Sequence, residues 1–536
     1  MKNNYKKLLI LTILPLLASS SFSKDNTFNF NNLIKRASTG ITPIMVNATF
    51  NGDAKTQIGI TWHLDSASFK QTCELVEESV GNFEDKSAIK LSLGKGVSAE
   101  VNMGADDTGK SYKALVTRLK PNTKYIYRVG SIGNYSNVHS FKTSGTNEKF
   151  NFVHLSDPQG WSETDYVPGF NQTLSAAKTK NPALLALTGD IVDRAKEGKL
   201  NNAYKQWEWA LESTKENLKD TILAPVSGNH ETGKYQFSSR FNVHNIESDK
   251  GISGNYYSFT YNEVYFLCLN TNDTLNPTDA EKATGLSDEQ MTFIKEDLKK
   301  NKDAKWKFVL MHKGLFDPGE HSSNKQFESG TYHDYDIDLI RKQLVPVFDE
   351  YHVDVVLQGH DHLFSRTFPT MKKDNSYVVG DYKETIKTID GRNYSLKKVN
   401  TGTIYTNTST ASGSKYYDMT DYDESMMHFE KAEGRTPRMY TNYIVKGDDI
   451  FVDVYKIDSA GNETIYDSWG LTKTPIKEEN EKPGESEDKP GESENKPNKE
   501  KSNIGLIAGI SCTAAALIIG ITTLIIVINK KKKGTK

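Results

Sequence analysis

Asp, Asn and His residues follow a series of apolar runs, each at the point where the run ends. Carboxylate, amide and imidazole groups together suit divalent first-row metals such as Mn, Fe, Zn or Co. Calcium would favour oxygen ligands alone, and a structural zinc site would favour cysteine. The mixture therefore predicts a transition-metal site. The residues at these ends are Asp157, Gln159, Asp190, Asn229, His230, His312, His360 and His362.

The last of these runs ends in Gly359, His360, Asp361 and His362. Two histidines at this spacing can serve neighbouring ions, and two metals about 3.5–4 Å apart can clamp a phosphoryl oxygen while holding a hydroxide. Asp361 is expected to point away from the ions as a supporting carboxylate. One His or one Gly-Asp after a strand is usually structural. Five such endings in one segment favour a site over five structural coincidences.

The apolar runs have the length and composition of buried strands, and amphipathic segments alternate with them. The clearest helix pattern lies over residues 286–300, where Ser287 and Gln290 form a capping-box sequence. Strands alternating with helices predict an α/β layered core, in which sites lie at the carboxyl ends of the strands. The predicted strands are residues 150–156, 183–189, 221–228, 265–271, 306–312 and 353–359.

The chain before residue 147 has a different pattern. Ile58, Ile60 and Trp62 alternate with polar residues, as do the apolar residues of "KYIYRVG" at 124–130. This period of two predicts an all-β sandwich over residues 40–146, and the α/β pattern predicts a second domain over residues 147–475. The stretch "LKPNTKYIYRV" with "SNVHSFKTS" resembles a fibronectin type III-like domain.

Composition limits the classes of function. The 536 residues carry 67 Lys+Arg and 69 Asp+Glu, so no charge excess indicates nucleic acid as a structural partner. The three cysteines, Cys73, Cys268 and Cys512, are too few for a disulfide scaffold.

Both ends of the sequence carry targeting patterns. Residues 1–23, with early lysines and an apolar stretch, predict a signal peptide, the alternative being a buried helix. Residues 476–502, rich in Pro, Gly and charge, predict a disordered stalk. The uncharged residues 504–528 predict a transmembrane helix, the alternative being a core helix, and the lysines of 529–536 predict a cytoplasmic tail. The expected localisation is the cell surface, as a single-pass membrane protein.

The ordered motifs "SDPQG", "GD", "GNHE", the single His312 and "GHDH" resemble those of the calcineurin-like metallophosphoesterase family. The preceding sandwich and the form "GHDHLFSRT" are most similar to the purple acid phosphatase branch, over roughly residues 40 to 470. The resemblance implies a four-layer α/β/β/α sandwich with a dinuclear centre. Its cofactors would be two divalent or mixed-valence transition-metal ions, namely Fe, Mn or Zn.

The resemblance also implies roles for individual residues. Asp190 would bridge both metals, and His230 would face the phosphoryl group, stabilising the oxyanion or protonating the leaving oxygen. Asp190 and His230 are thus the candidate catalytic residues. The remaining ligands would divide between the metals, with Asp157 and His362 on the first and Asn229, His312 and His360 on the second.

The sequence departs from the family pattern at two positions. Gln159 stands where much of the family has His, so it would bind the first metal weakly or only orient a water. Asp193, in "GDIVDRA", stands where the purple enzymes place the tyrosine that colours their iron. A purple ferric centre is therefore not expected.

These features together predict a surface-anchored phosphatase. We expect a phosphomonoesterase of the acid phosphatase type, in which a hydroxide held by two metals attacks phosphorus in line with the leaving group. A phosphodiesterase or nucleotide hydrolase on the same site remains an alternative, as does a non-catalytic surface adhesion or binding protein. The expected partners are the phosphate-ester substrate and, through the C-terminal span, a membrane.

Overall fold

The computed structural model describes residues 42–64, 71–93, 101–102, 110–146, 149–195, 200–233, 235–244, 254–274, 285–322 and 335–476. The predicted signal peptide, transmembrane segment and basic tail lie outside these ranges, as does all but the first residue of the predicted stalk. No helix within the described ranges is both long and apolar enough to cross a bilayer.

The chain before residue 147 is all β among its described residues, as its alternating pattern predicts. Its strands are β1 Ile44–Thr49, β2 Ile58–Leu64, β3 Gln71–Glu77, β4 Ile89–Leu93, β5 Val101–Asn102, β6 Lys110–Val116, β7 Lys124–Ser131, β8 Asn134–Tyr135 and β9 His139–Lys142.

The next part of the chain alternates strands with helices, and each of the six predicted strands is present. The elements are β10 Phe150–Leu155, α1 Asn171–Lys178, β11 Leu184–Leu187, α2 Leu200–Trp207, α3 Lys215–Leu218, β12 Ile222–Pro225, β13 Tyr257–Tyr261, β14 Val264–Cys268, α4 Asp288–Lys300, β15 Trp306–Lys313, α5 Tyr335–Tyr351 and β16 Val355–Gly359. A π-helical turn precedes α1 and another follows α2, over Asp165–Phe170 and Glu208–Glu212.

The described chain after β16 is built from strands. They are β17 Phe364–Thr367, β18 Thr370–Lys373, β19 Ser376–Val379, β20 Tyr382–Ile389, β21 Arg392–Val399, β22 Ile404–Thr408, β23 Phe429–Glu433, β24 Arg438–Lys446, β25 Asp449–Ile457 and β26 Glu463–Thr472.

Two large sheets face each other and form the core. In one sheet β10, β11 and β12 run parallel, and in the other β14, β15, β16 and β22 do so. The ring of Phe152 lies 5.2 Å from those of Phe266 and Phe308 across the interface. On the far side of the second sheet, Ile294 of α4 and Leu344 of α5 join one apolar cluster with its outward residues. These layers match the metallophosphoesterase α/β fold expected from the motifs.

The N-terminal β-domain is continuous with the larger fold. Strand β1 pairs in parallel with β12, with Ala48 opposite Ile222 and Thr49 opposite Leu223. The first large sheet therefore runs in the order β20-β21-β26-β25-β24-β10-β11-β12-β1-β2-β6-β5. Strands β3, β4, β7, β8 and β9 form the second layer of the N-terminal sandwich. The sequence pattern indicates a change of domain near residue 147, but it carries no sign of this shared sheet.

Candidate metal centre

Three of the predicted ligands sit where the chain turns sharply after a strand. Asp157, Asp190 and His360 have φ angles of 48°, 46° and 76°. Residues other than glycine rarely adopt this left-handed conformation, and such strain persists only where the surroundings hold it in place. The ligand atoms of Asp190, His312 and His360 all lie within 4.8 Å of one another, and the three residues are buried. The structure thus brings together one side chain from the loop after β11, one from β15 and one from the residue that follows β16.

One half of the site is built around His312. Its Nδ1 lies 2.8 Å from the carbonyl oxygen of Thr188, which can only accept a hydrogen bond, so Nδ1 donates. Its Nε2 then faces the site, 2.9 Å from Oδ1 of Asn229 and 3.3 Å from Oδ1 of Asp190. The residues predicted to bind the second metal therefore lie close together, namely Asp190, Asn229, His312 and His360.

The other half contains Asp157, Gln159 and His362. Nε2 of His362 lies 3.3 Å from Oδ1 of Asp157. The second oxygen of Asp157 accepts hydrogen bonds from the backbone N–H of His360 and the hydroxyl of Ser156. Oδ1 of Asp157 is buried and accepts no hydrogen bond of good geometry from the described residues, although Nε2 of His362 lies near it. A buried carboxylate oxygen left in this way fits a metal ligand.

The electrostatics of the cluster favour a cation. Burial tends to raise the pKa of Asp190, but the imidazoles of His312 and His230 outweigh it and hold this pKa well below the ordinary value. Burial likewise tends to lower the pKa of His312, yet the Asp190 carboxylate raises it to about 9. Ionised carboxylates with imidazoles in a dry site are the surroundings that bind divalent transition metals. The residues therefore fit the metal centre that the motifs imply.

Two glycines make room for this arrangement. A Cβ atom on Gly228 would lie 2.1 Å from Oδ1 of Asp190 and 2.2 Å from its backbone nitrogen. A Cβ on Gly359 would lie 2.0 Å from the hydroxyl oxygen of Ser156 and 2.7 Å from Oδ2 of Asp157. The glycines of "GNHE" and "GHDH" are thus required by the close approach of neighbouring ligand loops.

Glu231 was not identified from the sequence, although it completes the "GNHE" motif. Its buried carboxylate accepts hydrogen bonds from the backbone N–H groups of Gly228, Asp190 and Val192 at 2.7, 3.0 and 3.0 Å. Burial and the charge of Asp190 raise its pKa. Glu231 ties the loop after β11 to the loop after β12 and so fixes the positions of Asp190 and Asn229.

His230 lies at the edge of the cluster, and about a fifth of its side chain (21%) is exposed. Its Nδ1 lies 2.8 Å from the carbonyl oxygen of Asp193, so this nitrogen donates. Its backbone N–H donates to Oδ1 of Asp190 at 2.9 Å, and Nε2 lies 3.8 Å from Oδ2 of the same carboxylate. The geometry presents Nε2 of His230 to the site.

Residues 409–417, here called the return segment, close the site from the side of Asp157 and Gln159. The hydroxyl groups of Thr410 and Ser412 donate to the backbone carbonyls of these two residues, each at 2.8 Å. Nζ of Lys415 lies 3.1 Å from Oε1 of Gln159 and 2.7 Å from Oδ1 of Asp193. Sequence analysis does not assign these contacts, because Lys415 is 256 residues from Gln159 and carries no motif.

Aromatic rings border the cluster. The ring of Tyr417 stacks on His362 with centroids 4.6 Å apart, and the ring of His321 lies 4.2 Å from that of His360. Asp361 points to the loop before it in the chain and accepts from the backbone N–H of His321 at 3.3 Å. Asp361 therefore contacts the loop after β15, and its role as a supporting carboxylate stays a prediction.

Comparison with known proteins identifies the class. Residues 150–364 match the calcineurin-like phosphoesterase family model, and residues 43–143 match the N-terminal domain of purple acid phosphatases. The chain therefore contains a calcineurin-like metallophosphoesterase domain, preceded by the N-terminal domain of purple acid phosphatases. Its two matched regions occur in the arrangement of the purple acid phosphatase branch, which confirms the resemblance seen in the motifs.

Its relatives are distant. An uncharacterised protein of Mycobacterium tuberculosis is 22% identical over 365 residues, covering 62% of this chain and 64% of its own length. Purple acid phosphatase 21 of Arabidopsis thaliana is 25% identical over 278 residues, covering 50% of this chain and 55% of its own. The chain thus spans less than two thirds of the length of these curated relatives.

The fold has solved counterparts. The structure of purple acid phosphatase PPD1 from yellow lupin (Lupinus luteus) seeds aligns with a TM-score of 0.59 and 16% identity, covering 80% of this chain and 74% of that one. The structure of PhoD aligns with a TM-score of 0.56 and 13% identity. At these identities the likeness concerns the fold alone.

Proposed function

We propose that this chain is a metal-dependent phosphoesterase that hydrolyses phosphate monoesters. The observation that carries the proposal is the convergence of both halves of the cluster on Asp190. His312 approaches one oxygen of this carboxylate, and the side chain of Gln159, next to His362, approaches the other. A carboxylate shared in this way suits two adjacent metal ions.

We propose that the ligands divide between two ions as the family pattern implies. Asp190 would contact both ions, and two bound ions would supply a hydroxide nucleophile near neutral pH and offset the charge of the phosphoryl oxygens. We propose Fe, Mn or Zn, because imidazole and carboxylate suit these ions. The remaining ligands would be Asp157 and His362 for the first ion and Asn229, His312 and His360 for the second.

His230 is proposed as the group that assists the leaving oxygen. With Nδ1 donating to the Asp193 carbonyl oxygen, the neutral ring has no proton on Nε2, and the protonated ring has one there. The protonated ring would donate that Nε2 proton to the departing alkoxide. The hydrogen bond at Nδ1 fixes the orientation of the ring during this transfer.

We also propose that the enzyme acts at the cell surface on extracellular esters. The support is the sequence alone, namely the signal-peptide pattern of residues 1–23 and the uncharged stretch 504–528 followed by lysines. Labelling of intact cells with an antibody to the N-terminal β-domain, with and without permeabilisation, tests this location. Signal only after permeabilisation would contradict it.

Hydrolysis by the purified full-length chain tests the activity. After metal is stripped with a chelator, para-nitrophenyl phosphate and its bis ester are assayed in parallel while Mn²⁺, Zn²⁺ or Fe²⁺ is restored. Metal-dependent cleavage of the mono-ester is expected. Faster cleavage of the bis ester would favour a diesterase instead, and bound metal without hydrolysis of either ester would favour a binding protein.

A further inference from the structure

One half of the candidate metal centre contacts a lysine. The half formed by Asp157 and His362 also contains Gln159, and the ammonium group of Lys415 lies directly behind this glutamine. The side chain of Lys415 is only 17% exposed, and its Nζ lies between Gln159 and the Asp193 carboxylate. The ring of Trp161 covers the ammonium, with its centroid 5.3 Å from Nζ.

Lys415 determines which end of the Gln159 amide faces the cluster. An ammonium group can only donate hydrogen bonds, so the atom 3.1 Å from Nζ is the amide oxygen. An ionised carboxylate can only accept, so the atom 3.0 Å from Oδ2 of Asp190 is the amide nitrogen. Both neighbours therefore require the same orientation, with the NH₂ group towards Asp190 and His362. An NH₂ group has no lone pair to offer a metal ion.

The position of Lys415 is fixed from several sides. Asp193 forms an ion pair with its ammonium at 2.7 Å. The backbone carbonyl oxygen of Lys415 lies 3.3 Å from Nδ1 of His362. The hydroxyl of Ser412, earlier in the return segment, donates to the backbone carbonyl of Gln159 at 2.8 Å. The lysine is thus a built part of this half of the site, with a positive charge that opposes a nearby metal cation in partly buried surroundings.

We propose that Lys415 weakens metal binding in the half of the site formed by Asp157 and His362. It does so by holding Gln159 as a hydrogen-bond donor and by placing a cation next to that half. The ion held by Asn229, His312 and His360 would then bind tightly, while the ion near Asp157 would exchange with the medium. The enzyme would be regulated by the free concentration of a divalent transition metal. This inference rests on the proposed metal centre but not on any hydrolysis.

Calorimetric titration of the metal-stripped full-length chain with Mn²⁺ tests the inference without an activity assay. The wild-type chain is expected to bind two ions in separate tight and weak steps. Lys415→Met should tighten the weak step about tenfold or more, the range in which groups behind the ligands change metal affinity. The tight step should stay unchanged.

Lys456→Met is the matched control. Lys456 also pairs with a carboxylate, that of Glu433 at 2.8 Å, and lies 3.9 Å from the centroid of the Tyr466 ring, with 22% of its side chain exposed. Its removal deletes the same charge outside the site and should change neither step. Thermal unfolding of both variants establishes that they fold.

Gln159→Leu separates a hydrogen-bond donor from a ligand. If the amide only donates, this variant should bind the weakly held ion no less tightly than the wild-type chain. Weaker binding of that ion in Gln159→Leu would overturn the proposal. Two equally tight Mn²⁺-binding steps in the wild-type chain would also overturn it. So would a Lys415→Met variant that binds Mn²⁺ as the wild-type chain does but binds inorganic phosphate more weakly. Two-step binding without hydrolysis would remove the proposed function and leave this inference standing.

Discussion

The N-terminal β-domain and the metal centre both bury histidines, but they hold them in opposite ways. His63 on β2 and His139 on β9 are buried, and each has at least one ring nitrogen without a hydrogen-bond partner among the described residues. Burial lowers the pKa of both, assisted at His63 by the charge of Arg240, and the pKa of His139 falls to about 4. His312 is equally buried, yet the Asp190 carboxylate raises its pKa to about 9.

The difference shows that burial alone does not determine the state of an imidazole. Low polarity favours the neutral ring, whereas a carboxylate at close range reverses the preference. In the N-terminal β-domain the histidines act as neutral packing groups. Around Asp190, the same residue type lies in surroundings that favour a positive charge. Such surroundings also favour a bound metal ion.

The largest expected effect comes from Asp190→Asn, which would remove the cause of the difference. Groups that only support a metal ligand change metal affinity or activity by about 10–100-fold, so loss of the shared ligand should exceed that range. Turnover of para-nitrophenyl phosphate at saturating metal is the measurement. NMR titration should also show a lower pKa for His312. Near-wild-type turnover would exclude the shared role of Asp190, and Asp303→Asn, at an exposed position, serves as the control.

The next prediction concerns acid stability and His139. Its pKa in the folded chain lies below that of the unfolded chain, so its contribution to stability is complete above pH ~6.5 and is lost as pH falls towards 4. Over that interval the wild-type chain should lose about 3 kcal/mol of unfolding free energy through this residue. His139→Phe keeps the ring packed against Tyr127 and removes the titration. Urea unfolding at several pH values from 7 to 4.5 measures this dependence. The unfolding free energy should fall less steeply with pH in the variant than in the wild-type chain, and the same dependence in both would contradict the assignment.

His230 differs both from the buried histidines of the N-terminal β-domain and from His312, because it is partly exposed and makes a hydrogen bond through Nδ1. His230→Gln should reduce kcat by about 10²-fold for alkyl phosphate esters, a usual effect of losing a general acid. The loss should be much smaller for para-nitrophenyl phosphate, whose leaving group needs little protonation. Equal losses for both substrates would indicate that His230 binds the phosphoryl group instead.

The smallest expected effect is that of His63→Leu. Both ring nitrogens of His63 lack a hydrogen-bond partner among the described residues. Replacing a buried polar group of this kind with an apolar one should raise the free energy of unfolding by about 1 kcal/mol or leave it unchanged. Urea unfolding at pH 7 measures the change. A clear destabilisation would show that His63 has a polar role that the comparison with His312 does not include.

The sequence predicts the strands and the residues that follow them, because both depend on local pattern. All six predicted strands are present, and helix α4 begins after Ser287, whose hydroxyl accepts from the backbone N–H of Gln290 at 3.2 Å. The second half of the predicted capping box is absent. The Gln290 side chain instead accepts from the backbone N–H of Asn270 at 2.9 Å and joins the helix to the loop after β14.

Long-range contacts could not be predicted in the same way. Glu231 is visible in the "GNHE" motif, but its three backbone partners depend on how the loops after β11 and β12 meet. The contact between Lys415 and Gln159 joins residues far apart in the chain, and neither residue's own sequence surroundings indicate the other.

The parallel pairing of β1 with β12 has a consequence for any shortened form of this protein. Without residues 44–49, β12 would become the last strand beside β11 and would expose a row of unpaired backbone N–H and C=O groups. Such open edges recruit other chains and promote aggregation. Because β12 leads directly to Asn229, the exposed edge would also loosen one corner of the metal centre. The N-terminal β-domain therefore acts as a built-in edge cover, and the two family regions are best expressed as one piece.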